Sequence, residues 1–290
     1  MGFFPAGVGM AQPVVDGYAK LTIVLPTFNE ADNIRSIVPV LFSLYPAAHI
    51  IVVDDSSRDG TAAAVEEMTK RYPGLRLIVR KNVSRGLTAS VMEGVLAVQT
   101  PYFINMDADF QHPPESVADL YAALDGGADF VIGARRTMGP LTFTRRVASQ
   151  GAHKLASLYL WFRRQPGSSD LMSGFFGGRT DVVRDVIVRK GDKFERKGFK
   201  VLFDVLKFLP KDKKRAEVDY TFGDRTKGQS KLGGQVVLSV MKQCGPVGKG
   251  TGFFLEFFLI NPAGRVVGLL ILAAIFMVAV LMTGAPPPKP

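Results

Sequence analysis

Acidic and amide side chains occur together at three places in the N-terminal half of the sequence. They are residues 29–30 (NE), residues 54–55 (DD) and residues 107–111 (DADFQ). Carboxylates two residues apart, such as Asp107 and Asp109, are oxygen ligands of the kind that Mg²⁺ and Mn²⁺ prefer. A cation held by them would neutralise a diphosphate and help it to leave in a group-transfer reaction.

Each polar group follows an apolar run with the length and β-branched composition of a buried strand. Helical segments separate the runs, and this rhythm predicts an α/β fold with a mostly parallel sheet and helices on both faces. Ligands bind at the carboxyl ends of the strands in such sheets, so the polar groups should meet at one edge. The predicted strands are LTIVLP from Leu21, IIVVDD from Ile50, LRLIV from Leu75, YFINMD from Tyr102, DFVIGA from Asp129 and EVDYTF from Glu217.

Local signals place the beginnings of two helices. Asp59-Gly60-Thr61 precedes AAAVEEM, and Pro113-Pro114-Glu115 precedes SVADLYAAL. Both arrangements are typical of a helix N-terminus. Residues 141–165 read as a longer, Arg-rich helical stretch, and the glycine-rich segment SGFFGG follows at residues 173–178. No glycine-rich phosphate loop follows the first strand, so a bound diphosphate would need a cation instead.

The C-terminal region has a different character. Residues 266–285 carry no charge, and twenty helical residues span the hydrocarbon core of a bilayer, so we expect one transmembrane helix there. A buried core helix is the alternative interpretation. Residues 253–260 are too short to cross and would either lie at the interface or pack under the catalytic domain. We therefore divide the chain into a leader without a secretory signal (1–20), a catalytic domain (21–232), a juxtamembrane segment (233–262), a transmembrane helix (263–285) and a tail (286–290).

Charge and cysteine content narrow the possible partners. Lys and Arg number 36 against 26 Asp and Glu, and the net charge of +10 favours nucleic acid, nucleotide phosphates or an anionic membrane. Nucleic-acid binding would need a continuous basic face with interleaved aromatic side chains, whereas the basic residues here lie beside apolar segments. The single cysteine, Cys244, excludes an intramolecular disulfide and a cysteine-built zinc site.

Five motifs in this order resemble a known family. LPTFNE, VVDDSSRDGT, MDADFQHPPE, SSDLMSGFF and FGDRTKGQSKL are similar to motifs of the inverting GT-A glycosyltransferases of family two. Within this family the resemblance is strongest to the dolichol-phosphate mannose synthases and their polyprenyl-phosphate relatives, and it extends from about Leu21 to Leu232. It implies a GT-A, Rossmann-like fold.

The resemblance also implies a nucleotide site and a metal site. Asp109 and Gln111 would hold Mg²⁺ or Mn²⁺. Phe28 stands where many relatives have Tyr, and Arg85 is less typical of the family. The residues implied for the nucleotide are Pro26, Phe28, Glu30, Asp54, Asp55, Gly86, Ala89 and Asp107, the last also near the sugar.

Cationic residues are implied for a second substrate. A lipid monophosphate is already an anion near pH 7, because the second pKa of a phosphate monoester is about 6, so no strong general base is required. His112 is therefore not expected to be catalytic. Arginine forks would instead hold the phosphate for in-line attack. The resemblance places Asp170 and Ser173 beside the sugar, and the acceptor-phosphate set is Arg135, Arg145, Ser149, Arg225 and Lys231. The catalytic set is Asp107, Asp109, Arg135 and Arg225.

Together these features predict a membrane-anchored enzyme. It would move mannose from GDP-mannose to a dolichyl or polyprenyl phosphate with inversion, with the catalytic domain on the cytosolic face. UDP-glucose is the alternative donor. Transfer to a hydroxyl acceptor would need a further carboxylate base beyond Asp109. A catalytically silent, membrane-anchored nucleotide-binding subunit is the remaining alternative.

Overall fold

The computed structural model describes residues 17–81, 85–136, 153–154, 156–195 and 201–223 of the chain. In these residues strands and helices alternate as the sequence predicts. The strands are β1 (Leu21–Thr27), β2 (His49–Asp54), β3 (Leu75–Val79), β4 (Tyr102–Asn105), β5 (Phe130–Arg135), β6 (Phe176–Arg179) and β7 (Arg215–Tyr220). The helices are α1 (Ala31–Leu44), α2 (Thr61–Thr69), α3 (Leu87–Ala97), α4 (Val117–Asp125), α5 (Thr180–Lys190) and α6 (Val201–Phe208).

The described strands form one sheet in the order β3-β2-β1-β4-β6-β5-β7. All run parallel except β6, which lies antiparallel between β4 and β5. The chain proceeds outward from β1 to β3 and returns to the centre at β4, so the strand order reverses between β1 and β4. Parallel sheets of this kind open a crevice at such a reversal, beyond the carboxyl ends of the strands.

Two apolar layers cover the faces of the sheet. Ile23 and Leu25 of β1 pack in one layer with α1 and α4, and Val24 packs in the other with α3, α5 and α6. Successive side chains of a strand point to opposite faces, so burial of all three requires helices on both sides. The predicted α/β fold with a mostly parallel sheet is confirmed.

The glycine-rich segment of the sequence forms a strand, which we did not predict. Gly177 of β6 pairs with Ile104 of β4 on one side and Val131 of β5 on the other. A Cβ atom on Gly177 would overlap the carbonyl oxygen of Phe103 and would lie 2.8 Å from Cγ1 of Ile104. Only glycine lets the neighbouring strand approach this closely, so an unfavourable strand former occupies the middle of the sheet.

The other local expectations have mixed outcomes. The six predicted strands and the two helix starts are confirmed, the second through a 3₁₀ turn at Pro114–Ser116. Of the predicted Arg-rich helix, residues 156–162 are helical, and most of the remainder lies outside the described residues. In the part of the chain that the structure describes, no helix combines the length and apolar character needed to cross a bilayer. The predicted membrane span at residues 266–285 and the boundary at residue 232 fall outside that part.

Candidate active site

A cavity of about 460 Å³ lies at the carboxyl edge of the sheet, where the strand order reverses. Its walls come from the ends of β1, β4 and β5 and from the N-terminal turn of α3. The predicted site residues among its lining are Pro26, Phe28, Glu30, Asp55, Gly86, Asp107, Asp109, Gln111, Arg135 and Ser173. The three polar groups of the sequence therefore meet as expected.

Backbone strain is concentrated at this edge. Asn29, Ser56 and Phe110 have positive φ, and they follow β1, β2 and β4 respectively. Among the described residues only one other non-glycine position, Arg164, shares this conformation. Such residues cost free energy and persist where surrounding contacts hold them. The turns around the cavity are thus shaped by their hydrogen bonds.

The loops after β1 and β2 are tied together by such bonds. The backbone N–H of Asn29 donates to Oγ of Ser57 at 2.8 Å, and the N–H of Arg58 donates to Oδ1 of Asn29 at 3.0 Å. Asp59 accepts from the N–H of Ala31 at 3.0 Å and from that of Thr61 at 3.0 Å, so one carboxylate caps both α1 and α2. Partial burial opposes ionisation of Asp59, but these hydrogen bonds prevail and lower its pKa.

The two acidic residues after β2 have different positions. Asp54 is buried and does not line the cavity, and its predicted contact with the nucleotide stays a prediction. Its carboxylate accepts from Oγ1 of Thr27 at 3.3 Å and from the N–H of Ser57 at 2.9 Å, so it organises the loop from beneath. Asp55 does line the cavity. Adjacent residues at a strand end point in opposite directions, which explains the difference.

Asp55 is held by a buried arginine that sequence reasoning missed. The side chain of Arg80 is 3% exposed, and its Nη1 forms an ion pair with Oδ1 of Asp55. The other carboxylate oxygen accepts the backbone N–H of Gly86 at 2.8 Å, which joins β2 to the start of α3. Nε of Arg80 also lies 3.1 Å from Oε1 of Glu93 on α3. The one available signal was an arginine directly after a predicted strand.

The first-strand motif supplies an aromatic wall. Phe28 lines the cavity, and the guanidinium carbon of Arg85 lies 4.9 Å from the centre of its ring. Glu30 also lines the cavity and accepts a 2.5 Å hydrogen bond from Nδ2 of Asn33. Gly86 reaches the cavity, whereas Ala89 is buried behind it within α3 and does not line it. This part of the site can stack a planar base and bind its polar edge.

The loop after β4 brings two carboxylates to the cavity. Asp109 is 4% exposed and accepts the N–H of Gln111 at 3.1 Å, which closes a tight turn around Phe110. The Asp107 side chain is 41% exposed. The N–H of Asp107 donates to Nδ1 of His112 at 2.9 Å. One hydrogen bond therefore joins the two ends of the loop, from Asp107 to His112, and a second closes the turn inside it.

His112 lies beneath this loop in an aromatic setting. Its ring is 5.1 Å from that of Phe175 and nearly parallel to it, and the rings of Tyr220 and Phe222 pack edge-on. Burial lowers the pKa of His112, and the nearby carboxylates of Asp107 and Asp109 only partly counteract this. A neutral ring that accepts at Nδ1 carries its proton on Nε2.

The carboxylates at the cavity fit a divalent cation that substrate phosphates help to bind. Among the described residues, no group of three His, Cys, Asp or Glu side chains could enclose an ion by itself. Asp107 and Asp109 nevertheless line the same cavity. Mg²⁺ is commonly held by one or two carboxylates together with substrate phosphates, so two are sufficient. The two predicted metal ligands, Asp109 and Gln111, both line the cavity.

Arg135 enters the opposite side of the cavity from the end of β5. Its Nε and Nη2 donate to the two oxygens of Asp170 at 2.5 and 2.7 Å. Burial alone would raise the pKa of Asp170, but the hydrogen bonds and charge of Arg135 lower it below its ordinary value. Asp170 does not line the cavity and holds Arg135 in this structure, and its predicted contact with sugar stays a prediction. Ser173 lies in the lining as expected.

Four predicted phosphate-binding residues cannot be placed. Arg145, Ser149, Arg225 and Lys231 lie outside the described residues. Arg135 is thus the member of the predicted acceptor set whose position the structure gives.

A comparison with protein families finds a match over more than half of the chain. The model described as glycosyl transferase family 2 matches residues 22–187, which include β1 to β6 and most of the cavity lining.

Curated relatives include two fungal dolichol-phosphate mannosyltransferases. That of Mycosarcoma maydis is 35% identical over 80% of this chain and 82% of its own length. That of Saccharomyces cerevisiae is 34% identical over 77% of this chain and 85% of its own length. The dolichol-phosphate mannosyltransferase of Pyrococcus furiosus is 32% identical over 77% of this chain, but the chain spans only 62% of that protein.

Solved structures share the fold. Glucosyl-3-phosphoglycerate synthase from Mycobacterium tuberculosis, crystallised with Mn²⁺, UDP and glucosyl-3-phosphoglycerate, has a TM-score of 0.56 and 19% identity, with 82% of this chain and 87% of that chain covered. Mannosyl-3-phosphoglycerate synthase from Rubrobacter xylanophilus has a TM-score of 0.54 and 19% identity, with coverage of 80% and 75%. These likenesses identify the α/β arrangement as the GT-A fold.

Proposed function

The chain belongs to glycosyl transferase family 2, and from this premise we propose that it transfers mannose from GDP-mannose to a polyprenyl phosphate such as dolichyl phosphate, with inversion at the anomeric carbon. The names of its relatives support both the sugar and the class of acceptor. One observation carries the proposal: a single cavity holds the carboxylates of Asp107 and Asp109 and, from another strand, the guanidinium of Arg135.

The acidic side of the cavity suits the donor. Phe28 offers a face for the base, and Asp55 and Glu30 are acceptors for polar groups of the nucleoside. Asp109 and Gln111 would hold Mg²⁺ or Mn²⁺ beside Asp107, and the bound ion would neutralise the leaving diphosphate. Asp109 is oriented for this by the turn that it forms with Gln111. The carboxylates thus fix where the diphosphate lies and how the anomeric carbon is presented.

The cationic side suits an anionic acceptor. The ion pair with Asp170 uses Nε and Nη2 of Arg135 and leaves the Nη1 edge for a phosphate oxygen. The fixed guanidinium would direct the phosphate towards the anomeric carbon, opposite to the leaving group. A phosphate monoester near pH 7 needs no proton removed before it attacks, so no base is required of His112, which is among the lining residues but is 2% exposed and uses Nδ1 to accept the N–H of Asp107. Arg145, Ser149, Arg225 and Lys231 would complete the acceptor site.

We propose further that residues 266–285 anchor the enzyme in a membrane with its catalytic domain on the cytosolic side. The support is the uncharged twenty-residue length of this segment and the basic character of the domain before it. An anchor would keep the active site close to a lipid acceptor and raise its effective concentration.

A transfer assay tests the proposal. Purified full-length protein is incubated with Mn²⁺ or Mg²⁺, radiolabelled GDP-mannose or UDP-glucose, and a polyprenyl phosphate, and the lipid product is extracted into organic solvent. We expect label in the organic phase with GDP-mannose only, and none when a polyprenol without phosphate replaces the acceptor. Preferential use of UDP-glucose would contradict the donor assignment. Tight GDP binding without transfer to any lipid would indicate a silent nucleotide-binding subunit.

A further inference from the structure

We propose that His112 is a positioning residue that sets the direction of the Asp107 carboxylate by accepting the backbone N–H of Asp107 at Nδ1. The inference deepens the proposed function and rests on it for the role of Asp107 at the diphosphate and sugar. The backbone nitrogen of Asp107 lies 2.9 Å from Nδ1 of His112, and the two residues are five positions apart in the chain. The bond closes residues 107–112 into a loop with both carboxylates on its cavity side.

The surroundings of His112 hold its ring in one place. The side chain is 2% exposed and stacks on Phe175, whose neighbour Phe176 begins β6. On the other side, a Cβ atom at Gly174 would lie 3.2 Å from Cε1 of His112 and 3.3 Å from Oδ2 of Asp107. Histidine, Asp107 and the Gly174 backbone are therefore packed closely enough that a shift in the ring would be transmitted to the carboxylate.

The chemistry of the bond requires an acceptor at one particular atom. The backbone N–H of Asp107 can only donate, so Nδ1 must be unprotonated and the ring proton must lie on Nε2. Loss of that acceptor would leave a part-buried N–H without a partner and would release one end of the loop. Within the loop, the turn from Asp109 to Gln111 is closed by a separate bond from the N–H of Gln111 to Oδ1 of Asp109. We therefore expect the effect to fall on the orientation of Asp107 and on the metal–diphosphate interaction that it serves.

Two amide variants separate this role from packing. In His112→Asn the side-chain oxygen can occupy the place of Nδ1, whereas in His112→Gln the amide lies near the place of Nε2. Both variants remain neutral and both lose the ring that stacks on Phe175, so each is the control for the other. GDP affinity is measured by calorimetry with and without Mn²⁺, together with thermal unfolding and transfer kinetics.

We expect His112→Asn to keep the GDP affinity measured with Mn²⁺ within about threefold of the wild type. His112→Gln should weaken it by about 10- to 100-fold, as loss of one part-buried hydrogen bond allows. Without Mn²⁺ the two variants should bind GDP alike. Equal GDP affinities of the two variants with Mn²⁺ would overturn the proposal and assign His112 to packing alone.

A spectroscopic measurement on the wild-type protein is independent of both folding of the variants and catalysis. The chain has three histidines, and in ¹⁵N NMR spectra of histidine-labelled protein His112 should show the Nε2–H tautomer at neutral pH. A proton on Nδ1 would overturn the proposal. If the wild type bound GDP with Mn²⁺ but transferred no mannose, the proposed function would fail, whereas the Asn–Gln difference in GDP affinity and the tautomer would still support the positioning role.

Discussion

The carboxylate of Asp55 reaches the cavity with both oxygens already bonded, one to Arg80 and the other to the N–H of Gly86. Each oxygen has a further lone pair for a ligand, and its direction is set by these two partners. Arg80 is nearly inaccessible, and it contacts Asp55 from outside the set of residues that line the cavity. It therefore belongs to the site without lining the cavity.

We predict that Arg80→Met weakens GDP binding by about 10-fold, because the Asp55 carboxylate loses the partner that orients it. The exposed Arg76 on β3 provides the matched control, since Arg76→Met removes the same charge from the surface. Calorimetric titration with GDP gives the affinities. In the double variant Arg80→Met/Asp55→Asn, the loss should not exceed that of Asp55→Asn alone; additive losses would show that Arg80 acts by another route.

The pair formed by Arg135 and Asp170 predicts a dependence of stability on pH. The pKa of Asp170 is lowered in the folded protein, so the pair stabilises above the unfolded-state pKa of about 4 and its contribution disappears as pH falls through the folded-state pKa. Asp170→Asn should therefore lower the free energy of unfolding by about 1.5–3 kcal/mol at pH 7. In urea titrations the difference from the wild type should shrink towards pH 3. A difference independent of pH would contradict this assignment.

Asp109 has two tasks that one pair of variants can separate. Its Oδ1 accepts the N–H of Gln111, and its charge would bind the cation. We predict that Asp109→Asn keeps the turn and the melting temperature but lowers Mn²⁺-dependent transfer by at least about 100-fold, because the diphosphate is no longer neutralised. Asp109→Ala should lose transfer and also some stability. Unchanged transfer by Asp109→Asn over a titration of Mn²⁺ would exclude Asp109 as a ligand.

At the scale of elements, the sequence predicts the strands whose composition matches their environment. Apolar, β-branched runs identify β1, β2, β4 and β5, because strands buried on both faces must be apolar throughout. The two edge strands, β3 and β7, are less buried and tolerate charged residues, and they are identified from shorter β-branched and aromatic runs. β6 reads FGGR and escapes prediction, since glycine is depleted in strands. Glycine is needed there because of tertiary structure, since Gly177 lies against the backbone of β4. No local pattern contains that contact.

The same limit applies to the site. Residues that follow strands, such as Asp55 and Asp107, could be predicted because the edge of the sheet gathers them. The buried position of Asp54 and the partnership of Arg135 with Asp170 could not, because each depends on the direction of a side chain relative to a distant segment. A family resemblance places such residues near a ligand, but it does not distinguish a side chain that contacts the ligand from one that holds another side chain in position.

Gly177 in β6 gives a prediction for an element. Gly177→Ala places a Cβ atom against the carbonyl of Phe103, and overpacking of this kind costs about 1–3 kcal/mol. Gly167 is the control, because a Cβ atom added there would meet no other atom within 4 Å and its φ is not positive. Urea unfolding should show a clear loss of stability for Gly177→Ala and a change within about 0.5 kcal/mol for Gly167→Ala. Equal effects would mean that the sheet adjusts around position 177.

At the scale of the whole molecule, the described residues supply both apolar layers of the sheet and the cavity at its carboxyl edge. The layers consist of side chains from residues 18–222. Each layer covers one face of the sheet, and the central strands are fully buried between the two. A fold with its own core on both faces of a sheet is expected to be stable without a further apolar segment. The proposed role of the uncharged residues 266–285 as an anchor therefore asks nothing of them in this core.

Removal of everything after Asn261 tests that division of labour. We predict that the truncated protein folds cooperatively and binds GDP with nearly the affinity of the full chain, because the nucleotide side of the cavity is built from residues 26–112. Turnover of a long-chain polyprenyl phosphate in vesicles should fall strongly, because the truncated enzyme is no longer held at the membrane that contains its acceptor. Turnover of a short, water-soluble prenyl phosphate should fall much less. Comparison of the two acceptors with full-length and truncated protein separates anchoring from catalysis, and loss of GDP binding on truncation would show that the removed segment is part of the folded core.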